Sequence, residues 1–359
     1  MSLPSEIQAR VDAFCADYDL SVPVLMAPMA GACPPELAIA VGQAGGMGAC
    51  GALLFEPDQI ADWARKVRAG SNGAFQMNLW VPDPEPVRNK AHEDNVRAFL
   101  GEFGPEPDEK LADTPLIDFE AQFDALLDAG PAVVSSIMGV FSDEQVARLK
   151  ERGVKWYANV TTVAEARLAE SAGADVLVAQ GMEAGGHRGA FNAEDAEKAL
   201  IGLSALLPAV VDAVSRPVVA TGGIGDARAV AAALMLGASA VQIGTALLRT
   251  PEASIAKPWA DGMIDLQPEG TGATRAFSGR LGRSIVTDYT RAFAQDDNPD
   301  PAPYPIQRAL TGPMRAQAAK DADLQRMQAW AGQSSRLAED RPAADVVSEL
   351  WTNTLKLFD

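Results

Sequence analysis

Two histidines occur in the 359-residue chain, and one of them, His187, sits inside Gln180-Gly181-Met182-Glu183-Ala184-Gly185-Gly186-His187-Arg188-Gly189. Four glycines in ten residues let the backbone approach a ligand closely and take angles that other residues resist. Imidazole titrates nearest neutrality of all side chains, so a glycine arch that carries one reads as a ligand cradle with a proton-transfer group. A tight turn whose histidine bonds only its own loop is the competing reading. Two amides, Asn78 and Gln180, end apolar runs and could read the edge of a flavin ring or a carbonyl; each could equally cap loop backbone. Thr221-Gly222-Gly223-Ile224-Gly225-Asp226, which opens a helix, and Gln242-Ile243-Gly244-Thr245-Ala246 are glycine turns with N–H groups suited to a phosphate. Two turns that bind nothing remain the alternative. No P-loop, GxSxG or HExxH is present, no GxGxxG forms the strand-turn-helix of a dinucleotide site, and His92 reads as a solvated helix residue.

The elements that must position these groups alternate regularly. Apolar runs beginning at Pro23, Gly45, Gly73, Ala132, Lys155, Ala174, Pro217 and Ala240 read as eight buried strands, each but the last followed by a helix. Continuous apolar strands suit a parallel sheet covered on both faces. The expected fold is therefore α/β, a (β/α)8 TIM barrel, whose strand ends and glycine turns share one face. The last helix is expected from the tail, where Val346, Val347, Leu350 and Trp351 form a stripe. A short helix leads in over residues 1–20. Val81 to Pro115 carries six prolines and many charges and reads as a surface excursion with one helix near 87–99. Arg249 to about Ala319 is rich in Pro and Gly and only weakly periodic. The expected division is 1–249 and 320–359 as barrel, with 250–319 an inserted cap or substrate domain.

Composition narrows the partners. A net charge of −18 and a pI near 4.6 argue against nucleic acid and anionic membrane surfaces. Three cysteines without a CxxC pair give no metal framework and suit a reducing cytoplasm. No run approaches a membrane span, and no leader is legible at the N-terminus. A homodimer is left open.

Taken together, Ala27-Pro28-Met29-Ala30-Gly31, the glycine-rich strand at 45–48, Asn78-Leu79, the arch at 181–189, Ala220 to Ile224, and Gln242 to Leu248 resemble nitronate monooxygenases. The resemblance continues through Ala276 to Arg280, Tyr304 to Gln307 and Trp330 to Gln333, and so spans nearly the whole chain. It implies a TIM barrel binding FMN and oxidising alkyl nitronates with O2, without a nicotinamide requirement. By motif match His187 would be the base, and Pro28, Met29, Ala30, Asn78, Gln180, Gly185, Gly222, Gly223, Gln242, Gly244 and Thr245 would hold the flavin. Ile137 stands where many members place a second histidine, and Leu281-Gly282 interrupts a common SGRPAR pattern. With only four tyrosines, a hydroxyl-lined pocket is expected to be thin. Arg280 is expected to offset the acidic surface at the mouth for an anionic substrate. The glycine arch is also similar to that of FMN-containing enoyl reductases, so NAD(P)H reduction of quinones or enoyl thioesters is the alternative activity.

Overall fold

The computed structural model describes residues 3–358. Its strands are β1 (Val24–Met26), β2 (Gly48–Gly51), β3 (Phe75–Trp80), β4 (Val133–Ile137), β5 (Lys155–Val160), β6 (Val176–Gln180), β7 (Gly186–His187), β8 (Val218–Thr221), β9 (Ala240–Ile243), β10 (Thr271–Thr274) and β11 (Gly282–Ile285). All but β7, β10 and β11 form one parallel sheet, in the order β1-β9-β8-β6-β5-β4-β3-β2. Leu25 bridges to Met47 on the side opposite its pairing with Gln242, which closes the ring into a (β/α)8 barrel. Strand residues such as Leu25, Met77, Val134, Leu177, Val219 and Val241 are wholly buried, because side chains fill the inside and helices cover the outside.

The helices begin where local chemistry supplies a cap. Pro57–Gly70 opens with proline in its first turn and a reciprocal Glu56/Gln59 capping box. Thr162 and Asp226 cap Val163–Ala172 and Ala227–Met235 through their side-chain oxygens. The lead-in helix, Ser5–Ala16, buries Ile7, Val11 and Phe14, with Arg10 donating to the carbonyls of Leu234 at 2.6 Å and Ala238 at 3.1 Å. The tail helix Ala343–Lys356 packs against Ala227–Met235 and Pro35–Gln43, so it takes the eighth helical place and buries Val346, Val347 and Leu350.

Two features differ from the sequence reading. The proline-rich excursion is not merely surface: Val96, Phe99 and Leu100 of its helix Lys90–Gly101 share a second apolar core with Phe277, Tyr289, Ile306, Leu310 and Met314. The weakly periodic stretch after residue 249 contributes strands β10 and β11, which join β7 in an antiparallel sheet with Gly282 opposite His187. Short, glycine-containing strands carry too little alternation to be seen as strands. Their pairing nonetheless ties the glycine arch to the insertion. No helix among the described residues is long and apolar enough to cross a membrane.

Candidate active site

A cleft lies where the barrel strands end. Pro28, Met29 and Ala30 line it from the turn after β1, Asn78 from β3, Gln180 from β6, Gly185 and His187 from the arch, Gly222 and Gly223 after β8, and Gln242, Gly244 and Thr245 at the end of β9. Every residue that the sequence reading singled out for catalysis or cofactor binding thus lines one pocket. Sequence order scattered them; barrel closure gathers them.

The amides behave differently from one another. Gln180 is consumed by the arch, donating through Nε2 to the His187 carbonyl at 3.0 Å and accepting from Gly189 N–H at 2.8 Å. Those bonds cap the loop, while the side chain also lines the pocket. Asn78 donates from Nδ2 to the Ser135 carbonyl and hydroxyl, which leaves its Oδ1 without a partner among the described residues. Gln242 accepts at Oε1 from Gln76 Nε2 at 2.9 Å, and its own amide N–H groups meet no acceptor among the described residues. The pocket therefore presents one acceptor from β3 and one donor from β9, two strands separated in the ring by β1 and β2.

The glycine turns also need restating. The N-terminus of Ala227–Met235 is capped by Asp226, whose carboxylate accepts from Ala229 N–H and pairs with Arg228. In the pocket, the backbone N–H groups of Gly222, Gly223 and Thr245 meet no acceptor among the described residues. Gly222 and Gly223 hold φ of +114° and +69°, values that an L side chain would strain. Gly185 is demanded by close approach: a Cβ there would lie 2.5 Å from Gly332 N. Glu183 is structural, since both its oxygens accept from Leu203 N–H at the start of the next helix. Among the described residues no metal-binding cluster of histidine, cysteine and carboxylates exists.

His187 is held by three side chains. Its Nε2 lies 2.7 Å from Ser278 Oγ, and its ring centroid lies 4.6 Å from Trp80 and 4.7 Å from Trp330. Protein encloses it closely, although part of the ring still meets the pocket. Burial, reinforced by Arg280, Arg308 and Arg315, pushes its pKa from 6.5 down to about 3. A base already near neutrality was the expectation; the ring is instead held neutral, first by burial and then by the charges of Arg280, Arg308 and Arg315.

Arg280 occupies a different place from the one expected. It is 1% exposed, bonds Asp83 through both Nε and Nη2, and donates from Nη1 to the Ala190 carbonyl at 2.8 Å. A buried, paired guanidinium cannot relieve surface charge at the mouth. The positive charge in the pocket comes from Arg308 and Arg315, which the sequence reading missed. Arg308 directly follows the Tyr304-to-Gln307 motif, whereas nothing local marked Arg315. No tyrosine lines the pocket; Trp80, Trp259 and Trp330 supply its aromatic surface, and Ile137 lines it beside Ser135 and Asn159.

The nitronate monooxygenase family model matches residues 15–353. A probable nitronate monooxygenase of Staphylococcus aureus is 36% identical over 338 residues, covering 92% of this chain and 94% of its own. Among solved structures, a nitroalkane oxidase from Streptomyces ansochromogenes superposes with a TM-score of 0.86 at 38% identity, covering 96% of this chain and 98% of its own. FabK from Thermotoga maritima superposes with a TM-score of 0.74 at 25% identity, covering 96% of each chain. This likeness runs over nearly the whole chain, and with it the chain belongs to the nitronate monooxygenase family and is an enzyme, a flavin-type oxidoreductase.

Proposed function

We propose that this enzyme oxidises alkyl nitronates with O2 to carbonyl compounds and nitrite on a bound FMN, and that His187 forms the nitronate when the substrate arrives as a neutral nitroalkane. One observation carries the base: a neutral imidazole, gripped by Ser278, Trp80 and Trp330, lines a pocket that contains no carboxylate. Without Asp or Glu at the site, the neutral imidazole is the remaining side chain there with a lone pair free to take a proton.

The unpaired groups fit FMN. Asn78 Oδ1 and the Gln242 amide suit a ring edge that offers both N–H and C=O, and the N–H groups of Gly222, Gly223 and Thr245 suit one terminal phosphate. When bound, the flavin supplies the electron acceptance and the reaction with O2. The chain's own contribution begins earlier. His187 takes the α-proton, the C–H electron pair moves into a C=N bond, and the negative charge settles on the two nitro oxygens. A base held near pKa 3 is weak alone, yet the anion formed beside it stabilises the imidazolium, so the two charges appear as a pair. Trp80 and Trp330 limit water around that pair. We further read 250–319 as the cap that carries Ser278 and Arg308 to the barrel mouth, and the three buried free cysteines as suited to a reducing cytoplasm.

The test is direct. Heat-released flavin should run as FMN, and the protein should consume O2 and release nitrite with propane-2-nitronate and with 2-nitropropane. The similarity to FabK makes NAD(P)H the comparison: rapid anaerobic bleaching by NADPH, with no nitrite from either nitro compound, would transfer the assignment to a reductase.

A further inference from the structure

Acidic residues outnumber basic ones by 48 to 30 in this chain, yet no Asp or Glu lines the pocket, and the only charged side chains there are Arg308 and Arg315. The two are bonded differently. Each nitrogen of Arg315 donates to a neutral acceptor: Nη1 to Gln328 Oε1 at 2.8 Å, Nη2 to the Arg308 carbonyl at 2.8 Å, and Nε to Thr311 Oγ1 at 3.2 Å, three of its five donors. Arg308, on the helix Ile306–Leu310, has a guanidinium that meets no acceptor and no carboxylate among the described residues, although its backbone is pinned by Arg315. Its helix follows Tyr304, whose ring lies 5.2 Å from Trp80, and Trp80 in turn packs on His187. An unpaired planar fork of donors therefore opens into the same cleft as the imidazole.

We infer that Arg308 is a catalytic residue that grips the two oxygens of the substrate's nitro group, with Arg315 positioning it. This rests on the nitronate reading and deepens it. Removal of the α-proton places a full charge on two coplanar oxygens, the geometry that a guanidinium matches with two parallel hydrogen bonds. The bonds strengthen as the charge develops, so Arg308 favours the deprotonated state over the neutral nitroalkane. It also explains how an imidazole held neutral by its surroundings can abstract a carbon proton: the charge it must balance is shared with a fixed cation. Arg315, tethered through all three of its nitrogens, contributes a fixed charge and the orientation of the Arg308 backbone.

The experiment compares Arg308→Gln and Arg308→Lys with the parent holoenzyme. Isobutyrate, which carries a planar two-oxygen anion on the same three-carbon skeleton as propane-2-nitronate, is titrated by calorimetry, with neutral isobutyramide as the control. Losing charge-assisted bonds to one anion typically weakens binding about 10- to 100-fold. Arg308→Gln should weaken isobutyrate by that factor and leave isobutyramide unchanged, with Arg308→Lys intermediate because it keeps the charge but loses the fork. Turnover of propane-2-nitronate should fall in parallel in kcat/KM. Unchanged isobutyrate affinity in a variant that still turns over nitronates overturns the proposal while leaving the nitronate activity intact. Loss of flavin from Arg308→Gln also overturns it, by assigning the guanidinium to the cofactor. Arg308-dependent isobutyrate binding in a protein inert to every nitronate sinks the activity instead, and keeps the anion grip.

Discussion

His187 differs from a solvent histidine in one measurable way. Its pKa, lowered to about 3 chiefly by burial and then by Arg280, Arg308 and Arg315, keeps the ring neutral across the working range. A base must be unprotonated to act, so activity is lost only as pH falls through its pKa. The kcat/KM for 2-nitropropane should therefore show no histidine limb near pH 6.5, with any such limb displaced toward pH 4 or below. A limb at 6.5 would mean that the ring is solvated in the working enzyme. The step is isolated by His187→Asn, which cannot take the α-proton. Nitroalkane turnover should fall by a factor of about 10² to 10⁴, while a pre-formed nitronate, already deprotonated, keeps most of its rate. Equal losses on both substrates with an unchanged flavin spectrum would make His187 a positioning residue.

Among the elements, the clearest dependence is of the arch on the chain that follows β3. Asp83 lies just beyond β3 and pairs with Arg280, whose backbone N–H donates to Ser278 Oγ, which in turn meets His187. Asp83→Asn leaves the almost fully buried guanidinium unmatched. Stability should drop by about 3 kcal/mol, the lower end for breaking a buried pair, because Asp83 itself retains 24% exposure. Denaturant titration measures this, and a midpoint unchanged from the parent would show that water replaces the carboxylate. The same pair shows what sequence can carry. Strand ends are legible because burial on both faces writes an apolar run into the chain, and glycine turns are legible from composition alone. Gln180 meets its partners 7 and 9 residues away, yet even there the choice between loop cap and ligand contact depended on the path of the arch. Arg280 meets Asp83 across 197 residues, and no local pattern encodes such a meeting. The roles of Arg280, Arg308 and Arg315 were therefore set only by how the insertion seats on the barrel.

At the scale of the whole molecule, the barrel has a seam. Strands β1 and β9 come from the two ends of the barrel sequence, and they deliver both the turn at Pro28 to Ala30 and the run Gln242 to Thr245 to the pocket. Helix Ala343–Lys356 lies across that seam, touching one helix from each side. Leu350 is 7% exposed within it and lines no part of the pocket. Leu350→Ala removes buried methyl groups and leaves a gap between helices that cannot fully collapse, at a cost of about 2–4 kcal/mol. A seam strand that loosens also releases cofactor, because both sides of the proposed flavin site ride on it. Fluorescence of freed flavin should therefore rise at the same, lowered temperature at which helical circular dichroism is lost. Turnover at 25 °C should stay near the parent value, since no pocket group has moved. If the seam were independent of the site, the variant would unfold its tail first and hold flavin to the parent temperature; two separated transitions would be seen in place of one.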